Sequence, residues 1–259
     1  MFIELAIDPS VLLLLCAVAF VAGYIDAIAG GGGLLTIPAL LTAGLPAHLA
    51  LGTNKLAATF GSCTAALTFY RKGLFNARYW RKSLIFTGLG ALLGTLLVDQ
   101  LSPDLLAKYL PMVVLLAALY SLFGRMVPDD NRQLPEVTRR LAWQQSSQGL
   151  VLGFYDGVAG PGTGAFWTLS TITLYRINLI LTSGVARSMN FVSNGVSLVM
   201  FLLLGHVVVL LGLGMGLCLM AGAWLGAHSA IRFGSPFIRP VFITVVIAIA
   251  LRLAWQAWS

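Results

Sequence analysis

The chain has 259 residues, of which 58% are hydrophobic and 10% are charged, and its formal net charge is +7. A soluble domain is about 25% charged, so a soluble globule of this length would lack the polar side chains needed to cover its surface. The composition excludes soluble enzymes, nucleic-acid-binding domains and disordered chains, and it indicates an integral membrane protein. In such a protein, basic cytoplasmic loops account for the positive charge.

Many apolar stretches reach the ~20 residues that a helix needs to cross a membrane, and Gly, Pro or a short loop separates them. They lack the alternation of a barrel strand. The sequence therefore predicts an all-α integral membrane protein, a polytopic helical bundle. We expect its first helix to be retained, because no Lys or Arg precedes Lys55 and a cleavable signal begins with positive charge. The single cysteines Cys16, Cys63 and Cys218 predict no metal site or disulfide.

The predicted helices form two similar series in chain order. The first series lies near 10–28, 33–43 (a short piece bounded by Gly and Pro), 48–70, 83–98 and 104–125. The second lies near 144–159, 164–175 (again short), 179–204, 207–229 and 237–257. We therefore divide the chain into a first transmembrane repeat at 1–125, a polar cytoplasmic linker at 126–143 and a second transmembrane repeat at 144–259.

An internal repeat supports this division. The segment GYIDAIAGGG at 23–32 recurs as GFYDGVAGPG at 153–162. Lys55 likewise matches Arg187, and the pair Gly90 and Gly94 matches a second glycine pair, Gly222 and Gly226. Three matches in the same chain order favour a duplication.

The charges of corresponding turns favour an inverted repeat. Five Lys and Arg residues crowd the turn at 71–82, whereas the acidic turn at 99–104 corresponds to one that carries Arg232 and Arg239. Because basic loops stay in the cytoplasm, the two halves are expected to be inserted upside down relative to each other. This arrangement gives about ten crossings and places the N-terminus outside. The alternative treats the short pieces as re-entrant and gives eight spans in parallel repeats.

Four charged residues lie within predicted spans and recur in both halves: Asp26 with Asp156, and Lys55 with Arg187. A charge within a span costs a few kcal/mol, so it is a functional-site hypothesis by default. Each aspartate precedes a glycine tract, and matched breaks in two halves of a transporter indicate a central site where helix N-termini face an anion. The alternative for the glycines is tight helix packing, which better explains the paired glycines on the fourth helix of each half.

Polar neighbours of the two cations complete the candidate anion site. Arg offers an oxyanion a planar fork, and Lys offers it a point charge. The predicted substrate-binding residues are Thr53, Asn54, Lys55, Arg187, Asn190, Asn194, Gly31, Gly32, Gly162 and Thr163. Asp26 and Asp156 are assigned a coupling or structural role. Alternatively, the cations simply pair with the aspartates as buried structural ion pairs.

The string GYIDAIAGGGGLLTIPALLTAGLP, followed by LGTNKLAATFGS and a weaker copy near GFYDGVAGPGTG, resembles the TauE/SafE family, also called the 4-toluenesulfonate uptake permease family. The resemblance covers essentially the whole chain. It implies a multi-pass transporter of the bacterial plasma (inner) membrane that moves sulfite, sulfonates or related anions. The second copy departs from the first at Pro161 and Thr163, and it has Ala186 where the first has Asn54, so the site is pseudo-symmetric.

The expected function is gradient-driven secondary transport of small sulfur-containing anions. The partners are the anion and membrane lipid, with no cofactor, metal or nucleic acid, and self-association is left open. An anion-selective channel is the nearest alternative. A membrane-embedded enzyme is disfavoured because the histidines are scattered rather than clustered. A scaffold does not explain why the intramembrane charges recur.

Overall fold

The computed structural model describes residues 9–102, 104–105, 133–234, 236–237, 240 and 244. Within this part the chain forms eight α-helices and no β-strand, which confirms the all-α prediction. The helices are α1 (Pro9–Ala29), α2 (Gly33–Thr42), α3 (Ala47–Arg71), α4 (Arg81–Asp99), α5 (Arg139–Val158), α6 (Thr163–Tyr175), α7 (Leu179–Leu203) and α8 (Val209–Phe233). The helices predicted near 104–125 and 237–257, and most of the predicted linker, lie outside the described residues.

Helix α5 begins earlier than the sequence predicts. It starts at Arg139, inside the stretch that we assigned to the linker. The hydroxyl of Thr138 accepts a hydrogen bond from the Leu141 amide at 3.1 Å and so caps the helix. A polar N-cap followed by two arginines resembles a linker in composition, which is why the composition places the boundary too late.

The helices present apolar side chains outward and polar side chains inward, as a membrane protein requires. Among the helices in the described part of the chain, α1, α4 and α8 are long and apolar enough to cross a membrane. Large apolar side chains such as Leu13, Leu203 and Leu210 are 73%, 76% and 82% exposed. Conversely, α3 and α7 have 25 residues each but bury most of their polar side chains in the bundle. The functional residues are therefore to be sought on α3 and α7.

The helices α1, α3 and α8 run in the same direction. Their contacts follow the same chain order on both partners, so the three helices are parallel. The contacts of α8 with α3 are Gly212 to Leu56 and Gly216 to Phe60, and those with α1 are Gly222 to Phe20 and Gly226 to Tyr24.

The helices α4, α5 and α7 run together in the opposite direction. Thr87 and Ala91 of α4 contact Gly153 and Gly157 of α5 in parallel order. Thr87 and Thr95 also contact α7 in parallel order, at Met189 and Ser197. Helix α7 is antiparallel to α3, since Gly52 lies against Phe201 while Gly184 lies against Phe69. Helices α1, α3 and α4 thus run opposite to α5, α7 and α8, respectively, and the inverted repeat stays a prediction.

The short helices α2 and α6 double back along α1 and α5. Leu40, near the end of α2, packs in one cluster with Leu15 near the start of α1. Similarly, the Gln148 amide of α5 donates to the hydroxyl of Thr171 near the end of α6, at 3.1 Å. The 10 residues of α2 span about 15 Å, which is half the hydrocarbon thickness. The short helices reverse the chain direction inside each half, and the count of about ten crossings stays a prediction.

The glycines of the fourth helices serve close packing, as the sequence predicts. Gly222 and Gly226 of α8 bring its backbone against that of α1, and Gly90 and Gly94 of α4 do the same against α5. The closest neighbours are backbone atoms, which cannot move aside as side chains do. These two interfaces join the halves of the chain.

Replacing Gly222 by Ala is therefore expected to destabilise the protein by about 1–3 kcal/mol, the usual cost of overpacking. The added Cβ would meet the carbonyl oxygen of Phe20 and, at 2.9 Å, the amide nitrogen of Tyr24. Gly214→Ala on the same helix is the control, because its nearest neighbour is the Cys16 sulfur at 4.0 Å. Thermal unfolding of the detergent-purified proteins gives the melting temperatures of both variants. Equal melting temperatures for the two variants would contradict the packing role.

Candidate functional site

The glycine residues 30–32 separate α1 from α2 and form the first break. Asp26, in the last turn of α1, holds this break in place by hydrogen bonds. Its Oδ1 accepts hydrogen bonds from the amides of Gly31 and Gly32, at 3.1 and 3.0 Å. The break begins at Gly30, whose φ of 78° is left-handed and favours glycine. Gly31 and Gly32 directly precede α2, so Asp26 fixes the chain between the end of α1 and the start of α2. The carboxylate thus anchors the break.

At the second break, between α5 and α6, the aspartate accepts a hydrogen bond from a side chain, whereas Asp26 accepts its hydrogen bonds from backbone amides. Gly160, like Gly30, has a left-handed φ of 85°. Asp156 Oδ1 accepts a hydrogen bond from the Thr163 hydroxyl at 3.0 Å. Both breaks have a left-handed glycine four residues after the aspartate. The hydrogen-bond donors to the two carboxylates differ. This difference is the structural form of the pseudo-symmetry that the sequence predicts.

A threonine pair shows where the spacing between matching residues of the two halves changes by two residues. Thr36 of α2 donates to the Gly32 carbonyl at 3.1 Å, and Thr168 of α6 donates to the Gly164 carbonyl at 2.8 Å. The two threonines are 132 residues apart, as are Lys55 and Arg187, whereas Gly30 and Gly160 are 130 residues apart. The second half carries its two extra residues within the break itself. Gly32 thus corresponds in structure to Gly164.

Each cation pairs with the aspartate of the other half. Lys55 Nζ lies 3.1 Å from Asp156 Oδ1 and donates to the Asp156 carbonyl oxygen at 2.6 Å. Arg187 Nη1 lies 3.5 Å from Asp26 Oδ2 and donates to the Asp26 carbonyl oxygen. The pairing that the sequence left open is present, and it crosses between the halves. The two halves are therefore joined at their broken helices by two crossed ion pairs.

The crossed ion pairs are almost completely buried. Lys55, Asp156 and Arg187 are 1%, 2% and 0% exposed, while the side chain of Asp26 is 18% exposed. Burying ions costs several kcal/mol each, and their attraction repays this only with good geometry and further hydrogen bonds. The formal charges of the four residues sum to zero. A site of this kind is costly for stability alone, which favours a functional role.

A cavity of about 30 Å³ lies between the broken helices. It is lined by polar groups from both halves, and a volume of this size holds one or two water molecules. An anion that carries three oxygens therefore enters only if the surrounding groups move. The polar lining side chains are Asp26, Thr36, Asn54, Lys55, Asp156, Thr163, Asn190 and Asn194.

Most of the predicted substrate-binding residues meet at this cavity. Gly32 and Gly162 line it together with the predicted side chains Asn54, Lys55, Thr163, Asn190 and Asn194. Three predicted residues are not among the lining residues. The Thr53 hydroxyl accepts a hydrogen bond from the Val208 amide at 3.0 Å, Gly31 donates to Asp26, and Arg187 contacts Asp26.

Thr36 is the polar lining side chain that the sequence reasoning missed. Its hydroxyl lies 2.5 Å from Asn54 Oδ1, so it orients the Asn54 amide beside Lys55. The correspondence of Thr36 with Thr168 was the available signal. Polar lining is also unequal between the halves, because Asn190 corresponds to Ala58, which lines the cavity without a polar group.

Several buried polar atoms at the site have no hydrogen-bond partner within the described part of the chain. They are Asp156 Oδ2, Asn190 Oδ1, and the Nε and Nη2 atoms of Arg187. Buried polar atoms are normally bonded, and exceptions often mark functional sites. The site therefore has unused donors and acceptors beside the cavity.

An apolar-surfaced helical bundle with two broken helices, and buried charges at the breaks, has the construction of a membrane transporter. The chain belongs to the sulfite exporter TauE/SafE family, whose model matches residues 15–253. This membership confirms the resemblance noted in the sequence, together with the membrane and transport predictions. No solved structure matches the chain.

Curated relatives match over nearly the whole chain. A "probable membrane transporter protein" of Haemophilus influenzae is 40% identical over 260 residues, covering 98% of each chain. A "probable membrane transporter protein ORF9" of a Sinorhizobium species is 40% identical over 93% of this chain and 92% of its own. The "probable membrane transporter protein YfcA" of Escherichia coli K12 is 35% identical over 97% and 92%. The transporter class thus holds for relatives of similar length.

Proposed function

We propose that the protein is a gradient-driven secondary transporter, multi-pass in a bacterial inner membrane, for sulfite or small organosulfonates. The observation that carries this proposal is the Lys55–Asp156 pair, 3.1 Å apart, at a polar cavity where two broken helices meet. The description of the family as sulfite exporters supports the substrate class. The buried charges support transport rather than a scaffold.

The donors at the cavity suit a small oxyanion. Sulfite and sulfonates both carry three oxygens on one sulfur atom, and each oxygen accepts hydrogen bonds. Lys55 supplies positive charge, the amides of Asn54, Asn190 and Asn194 supply neutral donors, and the Thr163 hydroxyl supplies another. Charge-assisted hydrogen bonds of this kind are about twice as strong as neutral ones. We therefore assign Lys55 as the principal charged contact to the anion.

Anion binding requires the Lys55–Asp156 pair to open. The cavity of about 30 Å³ is too small for a three-oxygen anion, and Lys55 is already engaged by Asp156. A bound anion would also give the neutral four-charge cluster a net negative charge. Proton uptake by Asp156 solves both problems, because it releases Lys55 and restores neutrality.

The two aspartates are proposed to have different roles. Asp26 is held by the amides of Gly31 and Gly32 and by Arg187, so it anchors the break. Asp156 has the unpartnered atom Oδ2, where a proton can bind without breaking an existing hydrogen bond. We assign Asp26 the structural role and Asp156 the coupling role.

The proposal is tested by thermal unfolding of the detergent-purified protein across a panel of anions at constant ionic strength. Ligand binding stabilises the folded state by mass action, by about 2.7 kcal/mol at one hundred times Kd. We expect sulfite and small sulfonates to raise the melting temperature in a saturable manner, with chloride as the reference anion. An identical rise with every anion, or no rise with any sulfur oxyanion, would contradict the proposed substrate class.

A further inference from the structure

A basic cavity lies where α4 and α5 begin, and it shares no lining residue with the cavity at the crossed ion pairs. These two parallel helices start at Arg81 and Arg139. The cavity has a volume of about 640 Å³, and four cations line it without a single Asp or Glu among its lining residues. The cations are Arg78, Arg81, Lys82 and Arg139.

The basic cavity has an unbalanced positive potential. Within the described residues, the ion pairs involve other side chains, so these four cations are unpaired there. The N-terminus of α4 has no side-chain cap, and the partial positive charge of a helix N-terminus adds to that of the cations. Tyr79 lines the cavity beside these cations, burial raises its pKa to about 12, and its hydroxyl donates to the Pro135 carbonyl oxygen at 2.7 Å. These features suit a phosphate group.

An apolar groove continues from the basic cavity along α4 and α5. The groove has a volume of about 380 Å³ and shares Lys82 and Ala142 with the basic cavity. Its apolar walls are Phe86 of α4 with Trp143, Leu150 and Val151 of α5. Trp143 and Val151 are 76% and 63% exposed, and Trp is typical of the membrane–water interface. A charged cavity that leads into an apolar groove matches a ligand with an anionic head and a hydrocarbon tail.

We propose that the basic cavity and the apolar groove together bind one anionic phospholipid. Its phosphate contacts Arg81, Lys82 and Arg139, and one acyl chain lies in the groove between α4 and α5. Basic pockets between transmembrane helices bind anionic headgroups in this way. Because α4 belongs to the first half of the chain and α5 to the second, the lipid bridges the two halves and stabilises their interface.

The test uses delipidated, detergent-purified full-length protein titrated with dioleoylphosphatidylglycerol, dioleoylphosphatidylcholine or inorganic phosphate, with binding followed by native mass spectrometry and thermal unfolding. We expect saturable binding of phosphatidylglycerol and a higher melting temperature, with neither effect from phosphatidylcholine. The triple variant Arg81→Gln, Lys82→Gln, Arg139→Gln should bind phosphatidylglycerol on the order of a hundred-fold more weakly, since each interfacial cation contributes about 1 kcal/mol.

Two further variants separate the headgroup from the acyl chain. The double variant Arg71→Gln, Lys72→Gln removes two nearby cations that line neither the basic cavity nor the apolar groove. It should bind phosphatidylglycerol like the wild type. Val151→Trp fills the apolar groove without changing the charge. It should weaken the binding of phosphatidylglycerol but leave any binding of inorganic phosphate unchanged. Equal effects of the two lipids, equal losses in the control variant, or stabilisation by inorganic phosphate as strong as by phosphatidylglycerol would overturn the proposal.

Discussion

Replacing Lys55 by Gln together with Asp156 by Asn is expected to give a folded protein that binds the anion at least ten-fold more weakly. The charged hydrogen bond from Lys55 contributes roughly 1.5–3 kcal/mol to anion binding, and 1.4 kcal/mol corresponds to ten-fold in affinity. The double variant is used because Lys55→Ala alone leaves Asp156 buried without its partner, which costs about 3–5 kcal/mol of stability. Titration calorimetry with sulfite measures the change.

The matched control is a histidine–carboxylate pair that lies away from the cavity. His206 Nε2 lies 2.8 Å from Asp99 Oδ1, with about a third of each side chain exposed. His206→Gln with Asp99→Asn should therefore keep wild-type affinity for sulfite. If the Lys55→Gln, Asp156→Asn protein is folded and binds sulfite like this control, Lys55 is structural and the anion binds elsewhere.

Sulfonate binding is expected to strengthen as the pH falls, up to about ten-fold per pH unit, because binding takes up one proton at Asp156. The charged and titratable groups around Asp156 are Lys55 on α3, Tyr155 on α5 and Asp26, which lines the same cavity. A sulfonate is the appropriate ligand because it stays ionised throughout the neutral range. The measurement is the affinity for methanesulfonate across a pH series.

The aspartate variants distinguish the two proposed roles. Asp156→Asn should bind methanesulfonate with no pH dependence, because Asn mimics the protonated carboxyl group. Asp26→Asn should retain the pH dependence, since an Asn oxygen still accepts the amide bonds of Gly31 and Gly32. It should nevertheless unfold at a lower temperature, because Arg187 loses its partner. Loss of pH dependence in both variants would make both aspartates coupling groups, and loss only in Asp26→Asn would reverse the assignment.

The sequence identified the charges of the site because a charge in an apolar span stands out. Asp26, Asp156, Lys55 and Arg187 were each recognisable by their repetition in the two halves. The sequence did not show which cation pairs with which aspartate, because pairing within one half and pairing between the two halves would bury the same four charges. Only the packing of the parallel helices α1, α3 and α8 against the opposed helices α4, α5 and α7 brings each cation to the other half's aspartate.

Neighbours of the charges were harder to place from sequence. Thr53 stands beside Asn54 and Lys55, but adjacent helical residues face different directions. Its hydroxyl therefore reaches the Val208 amide rather than the cavity. Thr36 lies in a short apolar helix, where a threonine commonly bonds to its own backbone. It does so, and it also contacts Asn54, a relation that depends on how α2 folds back.

Counterflow in proteoliposomes tests whether an anion is carried through the cavity at the crossed ion pairs. Liposomes loaded with unlabelled sulfite are diluted into labelled sulfite. The wild type and the His206→Gln, Asp99→Asn control should take up label saturably and faster than unloaded liposomes. The Lys55→Gln, Asp156→Asn protein should show no such acceleration. Equal counterflow in that variant would show that the anion takes another path, and wild-type uptake that neither saturates nor responds to internal sulfite would show that the protein is not a sulfite carrier.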